Sequence, residues 1–354
     1  MRNVSLWAAV AALAAPLFLS GPAFAADQIP ADVLKAAQAE GRVDSVGMPD
    51  TWANWVGTWS DLKTKFGIEH SDTDMSSGQE IAKFEAEKNA ATADIGDVGV
   101  SFGPIAKQRG VTQPNKGPVW NEIPAWAKDP DGHWTVGYTG TICFLIDKSV
   151  VKEPYPTSWA DLLKGDYKLT TGDVSVAAQA VSGVLACAYA NGGDEKNLKP
   201  ALDFFAKLAK AGRLNLNDPT LANIEKGEVE VAIMWDFNAL NYRAQIDPKR
   251  FEVIVPKDGT LMSGYCTIIN KYAKHPNAAR LAQDYILSDE GQINLAEGFA
   301  RPIRKVALPE DVKAKMLPDE QYAAARPVKD ADAWDKSAKR LPRQWQENVM
   351  VHMQ

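Results

Sequence analysis

Asp236 stands between Trp235 and Phe237, at the carboxyl end of the alternating apolar stretch Glu228–Met234. A carboxylate in that setting must find a partner or stay near water. It either caps the helix predicted over Asn238–Gln245, or it takes an ammonium group. In the second case Trp52, Trp235 and Phe237 would supply an aromatic wall and cation–π contact. Two other stretches suit the opposite charge. Ser76-Ser77-Gly78-Gln79-Glu80 leads into Ile81–Phe84, whose apolar spacing is helical, and Thr171-Gly172-Asp173-Val174-Ser175 opens a helix predicted over residues 176–191. Hydroxyls and amides at a helix start cap the backbone, and they also attract carboxylate or phosphate oxygens.

Gly99-Val-Ser101-Phe-Gly103 has the spacing of a nucleophile elbow. That chemistry needs an acid and a histidine later in the chain and an oxyanion loop earlier. The only earlier histidine, His70, lies in Glu-His-Ser with no glycines beside it. Ser101 reads better as a hydroxyl donor to a ligand, and a secreted serine hydrolase is the remote alternative. The four histidines, His70, His133, His275 and His352, are dispersed without metal-ligand spacing.

Two strand-like stretches would have to position these groups. Thr135–Lys148 carries the apolar content of a buried strand, but Tyr138-Thr139-Gly140-Thr141 interrupts it. Met262–Asn270 repeats the pattern with Ser263 and Tyr265. Gly137 and Gly140 let the backbone bend or approach a neighbour closely, as in an ordinary bulged strand. The repetition suggests something more: two crossovers between lobes, with Tyr138, Thr139, Thr141, Ser263 and Tyr265 as neutral donors beside a polar cleft. Cys143 and Cys266 fall one in each crossover, so they are expected to be spatial neighbours and reduced; Cys187 is the third cysteine.

Around them the chain alternates helix and strand. Residues 31–41 predict a helix ending at Gly41, residues 42–47 a strand, and Ala93–Gly103 a strand breaking into a glycine-rich loop before a helix from Pro104. Residues 111–133 read as surface loops, residues 198–211 and 276–287 as amphipathic helices, and the end as a helical tail anchored by Trp334 and Trp345. Trp52, Trp55 and Trp59 recur at helical spacing, which favours one aromatic face on a core; Trp52, just past a strand, is also placed to wall a cleft. Such alternation implies α/β sheets with ligands at the carboxyl ends of parallel strands.

The 354 residues suit two domains, and 45% hydrophobic with 24% charged content is that of a soluble globular chain. A formal charge of −6, without a dense Lys/Arg run, argues against nucleic acid as a partner. Arg2, the apolar run Leu6–Leu19 and Ala23-Phe24-Ala25 predict a signal peptide over residues 1–25, and hence export to the periplasm.

Ala93-Asp-Ile-Gly-Asp-Val, Ser158-Trp-Ala-Asp-Leu-Leu, Glu228-Val-Glu-Val-Ala-Ile-Met-Trp-Asp, Ala273–Arg280 and Leu287–Gln292 carry a resemblance covering nearly the whole mature chain. It resembles the extracellular solute-binding proteins of ABC importers, in the type II periplasmic group that includes ferric-ion, thiamine, polyamine, phosphonate and sugar-phosphate binders. The resemblance implies a two-lobed type II α/β fold with two parallel-rich sheets joined by two crossover strands. Its lobes would be residues 26–139 with 261–305, and 140–260 with 306–354. It implies a monomeric receptor with no catalysis and no cofactor, whose partners are a small-molecule ligand, a membrane permease and its cytoplasmic ATPase. Ferric binders of the group usually carry an adjacent tyrosine pair, and none occurs here. Polyamine binders resemble the chain at Trp235, but Tyr265 stands where they place an acid. Ferric-ion or polyamine binding are the alternatives to the expected ligand, a small zwitterion or organic anion. A zwitterion's amine would meet Asp236 and its anionic end the helix starts; an organic phosphate without an amine is the next choice, with Arg301 or Arg304 reaching in.

Overall fold

The computed structural model describes residues 29–175 and 177–353; the predicted signal segment lies outside them. The first elements are α1 (Ala31–Glu40), β1 (Arg42–Val46), α2 (Trp55–Phe66), β2 (Glu69–Thr73), α3 (Ser77–Glu87), β3 (Ile95–Gly99), α4 (Gly103–Gln108) and β4 (Thr112–Gln113). A long strand, β5 (Thr135–Asp147), leads into α5 (Trp159–Leu162), β6 (Leu169–Thr170), α6 (Ala178–Ala190), α7 (Lys199–Lys210), β7 (Leu214–Asn215) and α8 (Leu221–Glu225). After β8 (Val231–Trp235), α9 (Asp236–Ile246) and β9 (Phe251–Ile254), a second long strand, β10 (Thr260–Asn270), returns. The chain closes with α10 (Pro276–Leu287), α11 (Asp289–Glu297), β11 (Arg301–Pro302), α12 (Glu310–Lys313), β12 (Ala325–Arg326) and α13 (Ala331–Asn348).

The strands run in the order β2-β1-β3-β10-β5-β8-β6-β7. β1 pairs in parallel with β2 and β3, and β6 pairs in parallel with β7 and β8. These two parallel groups are the sheets of two lobes. β5 joins them by changing partners partway along. Up to Thr141 it pairs antiparallel with β10 and β11; from Ile142 onward it pairs with β8 and β9. The register of β10 on β5 slips between Tyr265 and Cys266, which face Tyr138 and Val136, so Gly137 is the extra residue of a bulge. The bulge and the crossover are therefore both present in one strand.

Local chemistry accounts for the boundaries. α1 stops where Gly41 turns left-handed at φ 68° and donates its N–H to the Ala37 carbonyl. α7 buries Leu202, Phe204, Phe205, Leu208 and Ala209, one face of its turns. Phe205 meets Trp345 of α13 at 5.0 Å between ring centroids, and the anchors Trp334 and Trp345 are both buried. The stretch 111–133 is more than surface loop: Val111, Val119, Ile123 and Ala127 are buried and pack with Trp134 and Cys266.

The expected closeness of Cys143 and Cys266 is corrected by the register. Cys266 lies opposite Val136, and Cys143 opposite Met234, seven residues further along β5 or about 23 Å at a strand's rise. The two sulfurs sit in different hydrophobic clusters, and all three cysteines are buried and free. Disulfide formation needs Cα atoms within about 7 Å. Thiol titration of the denatured protein is therefore expected to count three thiols with or without prior reduction; a count of one without reductant would show that a bridge has formed.

Candidate functional site

Five aromatic rings meet between the lobes. Tyr138 of β5 and Tyr265 of β10 are cross-strand partners, and their rings stack at 5.7 Å, 10° apart. Trp52, in the loop before α2, meets Tyr265 edge-on at 5.4 Å and Phe237 of α9 at 5.2 Å. Phe237 is also edge-on to Tyr138 at 5.7 Å, and Trp235 reaches Tyr265 at 6.5 Å. Phe237 gets this close because Gly140 has no side chain: a Cβ there would lie 2.6 Å from its ring. Trp52 and Tyr265 keep some solvent exposure, whereas Tyr138, Trp235 and Phe237 are buried. Asn241 Nδ2 also donates to the Thr51 carbonyl at 3.3 Å, a second contact between the lobes.

Behind the rings stand carboxyl groups that have no cationic partner among the described residues. Trp52 Nε1 donates to the Tyr138 hydroxyl at 2.6 Å, and that hydroxyl donates to Asp97 Oδ2 at 2.7 Å. Asp97 Oδ1 is buried and has no hydrogen-bond partner among the described residues. Burial pushes the Asp97 carboxyl up to about 8, against the pull of the Tyr138 hydrogen bond. Glu80 of α3, also buried, accepts the Asp97 backbone N–H at 3.1 Å and is pushed well up by burial and by Asp97. Its carboxyl lies in a cradle open only because Gly47 and Gly96 lack side chains; a Cβ on Gly96 would be 2.6 Å from Oε2. Asp72 is raised by burial too, with Asp74 and Asp50 adding to the negative field.

Asp236 is engaged by the protein's own donors. It is completely buried; its Oδ1 accepts the N–H groups of Thr141 at 2.8 Å and Phe237 at 2.9 Å, and its Oδ2 accepts the Tyr322 hydroxyl at 2.7 Å. Three protein donors occupy the carboxylate, which ties α9 to β5 and to the segment before β12. Arg301 and Arg304 are committed as well. The Arg301 guanidinium stacks on Tyr322 at 4.0 Å and pairs with Asp319, and Arg304 pairs with Glu122 and Asp289.

The remaining predicted residues are divided. Ser76 precedes α3, its N–H bonded to Gln79 Oε1 at 2.9 Å, and the Ser77 hydroxyl accepts Gly99 N–H at 3.0 Å, beside the Tyr265 pairing. Thr139 and Thr141 are buried in β5; Ser263 pairs with Gly140 and is partly exposed. Asp173 and Ser175 are exposed and bonded to each other at 2.7 Å, before α6 begins at Ala178. Ser101 is exposed in the turn before α4. His70 bonds Ser45 and stacks on Trp59 at 3.7 Å, His133 bonds Thr112, and His275 bonds Asp94, so each of these imidazoles is engaged away from Ser101. Asp97, Glu80 and Tyr322 were missed as candidates. An acid inside the apolar run Ile95–Gly99 was the available signal for Asp97.

Among the described residues one trio has ligand-type atoms close enough for a metal ion: Asp44, Asp94 and His275, within 4.8 Å of one another. It lies away from the aromatic rings, and Arg42 already pairs with Asp44. No helix among the described residues is long and apolar enough to cross a membrane.

Comparisons with known proteins agree with this architecture. Residues 90–337 match the family model of bacterial extracellular solute-binding proteins. The chain is 26% identical over 172 residues to the sulfate-binding protein of Escherichia coli K12, covering 47% of this chain and 52% of that one. It is 28% identical over 204 residues to the spermidine/putrescine-binding periplasmic protein of Salmonella typhimurium, covering 54% and 58%. The chain thus spans a little over half the length of these curated relatives. In structure it resembles a periplasmic binding protein from Actinobacillus pleuropneumoniae with fructose-6-phosphate bound, at TM-score 0.70, 20% identity and coverage of 88% and 99%. A ferric binding protein from Campylobacter jejuni matches at TM-score 0.65 and 19% identity, covering 86% and 98%. These likenesses establish the two-lobed type II fold, and with the family match over 90–337 the chain belongs to the bacterial extracellular solute-binding proteins.

Proposed function

We propose that the chain is the periplasmic receptor of an ABC importer and captures a small organic solute bearing an ammonium group. The rings of Trp52, Tyr138, Phe237 and Tyr265, set in front of Asp97 and Glu80 with no lysine or arginine among them, support this reading. Aromatic faces attract cations electrostatically, and a carboxyl group behind them supplies the opposite charge. The amine partner assigned to Asp236 by sequence thus passes to Asp97. A zwitterion fits with its amine on the rings and its anionic end at Ser77 and Gly78, where α3 begins beside Gly99. Closure of the lobes on the solute would be what a permease and its ATPase read.

Calorimetric titration with putrescine, γ-aminobutyrate, 2-aminoethylphosphonate, sulfate, fructose 6-phosphate and ferric citrate tests the assignment. An amine is expected to bind, to compact the scattering profile and, at a hundredfold excess over Kd, to stabilise the fold by about 2.7 kcal/mol. Binding of sulfate or the sugar phosphate with no response to any amine would refute the ammonium reading.

A further inference from the structure

We propose that Asp97 stores a proton in the empty receptor and releases it when a cationic solute enters, so that capture is coupled to deprotonation. This rests on the ammonium reading of the site.

The geometry carries the argument. The hydrogen bonds run in one direction, from Trp52 Nε1 to the Tyr138 oxygen and from the Tyr138 O–H to Asp97 Oδ2. A phenol has one proton to donate, so Tyr138 has none left for a ligand. Among the described residues, no donor reaches Asp97 Oδ1 in the interior. A carboxylate buried with a single hydrogen bond and no counter-charge is strongly disfavoured; protonation removes the charge. The titratable groups bearing on it are Glu80 from α3, Asp72 from β2, Tyr138 from β5, and Tyr265 and Cys266 from β10. None of these is cationic, and ionisation of any of them would hold the proton on Asp97 more firmly. The value of about 8 given above agrees with this.

Trp52 links this carboxyl to the cleft. Its indole touches Phe237 of the opposite lobe and, through Tyr138, the acid. A cation seated on the Trp52 and Tyr265 rings would bring the missing counter-charge within reach of Asp97. The proton then leaves to solvent, and the cation's charge replaces it. Proton and cation compete for one carboxylate, so the solute's apparent affinity rises with pH until Asp97 is ionised without it.

The experiment has two arms. Titration of the full chain with putrescine and γ-aminobutyrate, from pH 6 to pH 9 in phosphate and in Tris, reads affinity and protons released to buffer. Affinity is expected to rise about tenfold per pH unit between pH 6 and 8 and then level off, with about one proton released per solute at pH 7. Asp97→Asn should bind more weakly and with no pH slope. Amine binding that is independent of pH and buffer would overturn the proton store and leave the ammonium reading intact; no amine binding at any pH would defeat both. The second arm needs no ligand and no variant: the carboxyl carbon resonance of Asp97 in the empty receptor should titrate near pH 8. A carboxyl already ionised at pH 6 would overturn the proposal, whatever the receptor binds.

Discussion

Asp97→Asn is expected to remove from the native protein a component of stability that falls between pH 4 and pH 8. In the unfolded chain this carboxyl ionises near its ordinary value of 3.8, whereas in the fold burial pushes it up to about 8. Between those values the unfolded state has lost a proton that the folded state still holds. Stability contributed by the neutral side chain is therefore fully present below pH 4 and is lost as pH rises, until the folded carboxyl itself ionises near pH 8. Each pH unit of that window is worth about 1.4 kcal/mol, so the native and variant curves should diverge by on the order of 5 kcal/mol across it. Asparagine keeps the shape and an oxygen for Tyr138 but carries no charge at any pH. Glu80, raised by burial and in part by Asp97, is relieved of that repulsion in the variant, so the difference between the two curves reports Asp97 together with its coupling to Glu80. Urea denaturation at unit pH steps measures it, and parallel curves would show that Asp97 is ionised in the fold.

Asp236 is expected to behave as a tertiary clasp. Asp236→Ala removes the acceptor for the Thr141 and Phe237 amides and the Tyr322 hydroxyl in one step. Each bond to a charged group contributes about 1.5–3 kcal/mol, so losing three together is expected to cost about 4.5 kcal/mol of stability or more. Asp236→Asn should cost about 1 kcal/mol or less, since its oxygen still accepts both amides and its amide group can donate to the Tyr322 oxygen. Affinity for an amine and for an amine-free solute should change together in both variants. A selective loss of amine binding in Asp236→Asn, with stability unaltered, would return this residue to the ligand.

These two acids show where sequence reasoning held and where it stopped. Asp236 drew attention because a carboxylate beside two aromatics at a strand end is chemically conspicuous; the sequence left it either a cap or a ligand. What favours a structural role is Tyr322, 86 residues further on, whose hydroxyl adds a third donor to the carboxylate. Asp97 drew none, because its neighbours Ile95–Gly99 read as a strand and nothing local says that its oxygen meets Tyr138, 41 residues away. Cys143 and Cys266 were matched by their similar surroundings, yet register, set by the bulge at Gly137, puts them far apart along β5.

Local and periodic features were determined by the sequence itself. The helix over Pro276–Leu287, the end of α1 at Gly41, the strand that stops at Asp236 and the two interrupted strands that join the lobes all follow from apolar spacing, capping and glycine placement. These depend on neighbours within a few residues, which the chain itself carries. Which polar group meets which was decided only by tertiary structure. Cross-strand pairing and interlobe packing join residues separated by tens to hundreds of positions, and each bond closes only when register and lobe placement agree. The aromatic rings between the lobes, the uncompensated Asp97 and the clasp at Asp236 are products of that packing, because a buried charge takes its meaning from what lies within a few ångströms of it.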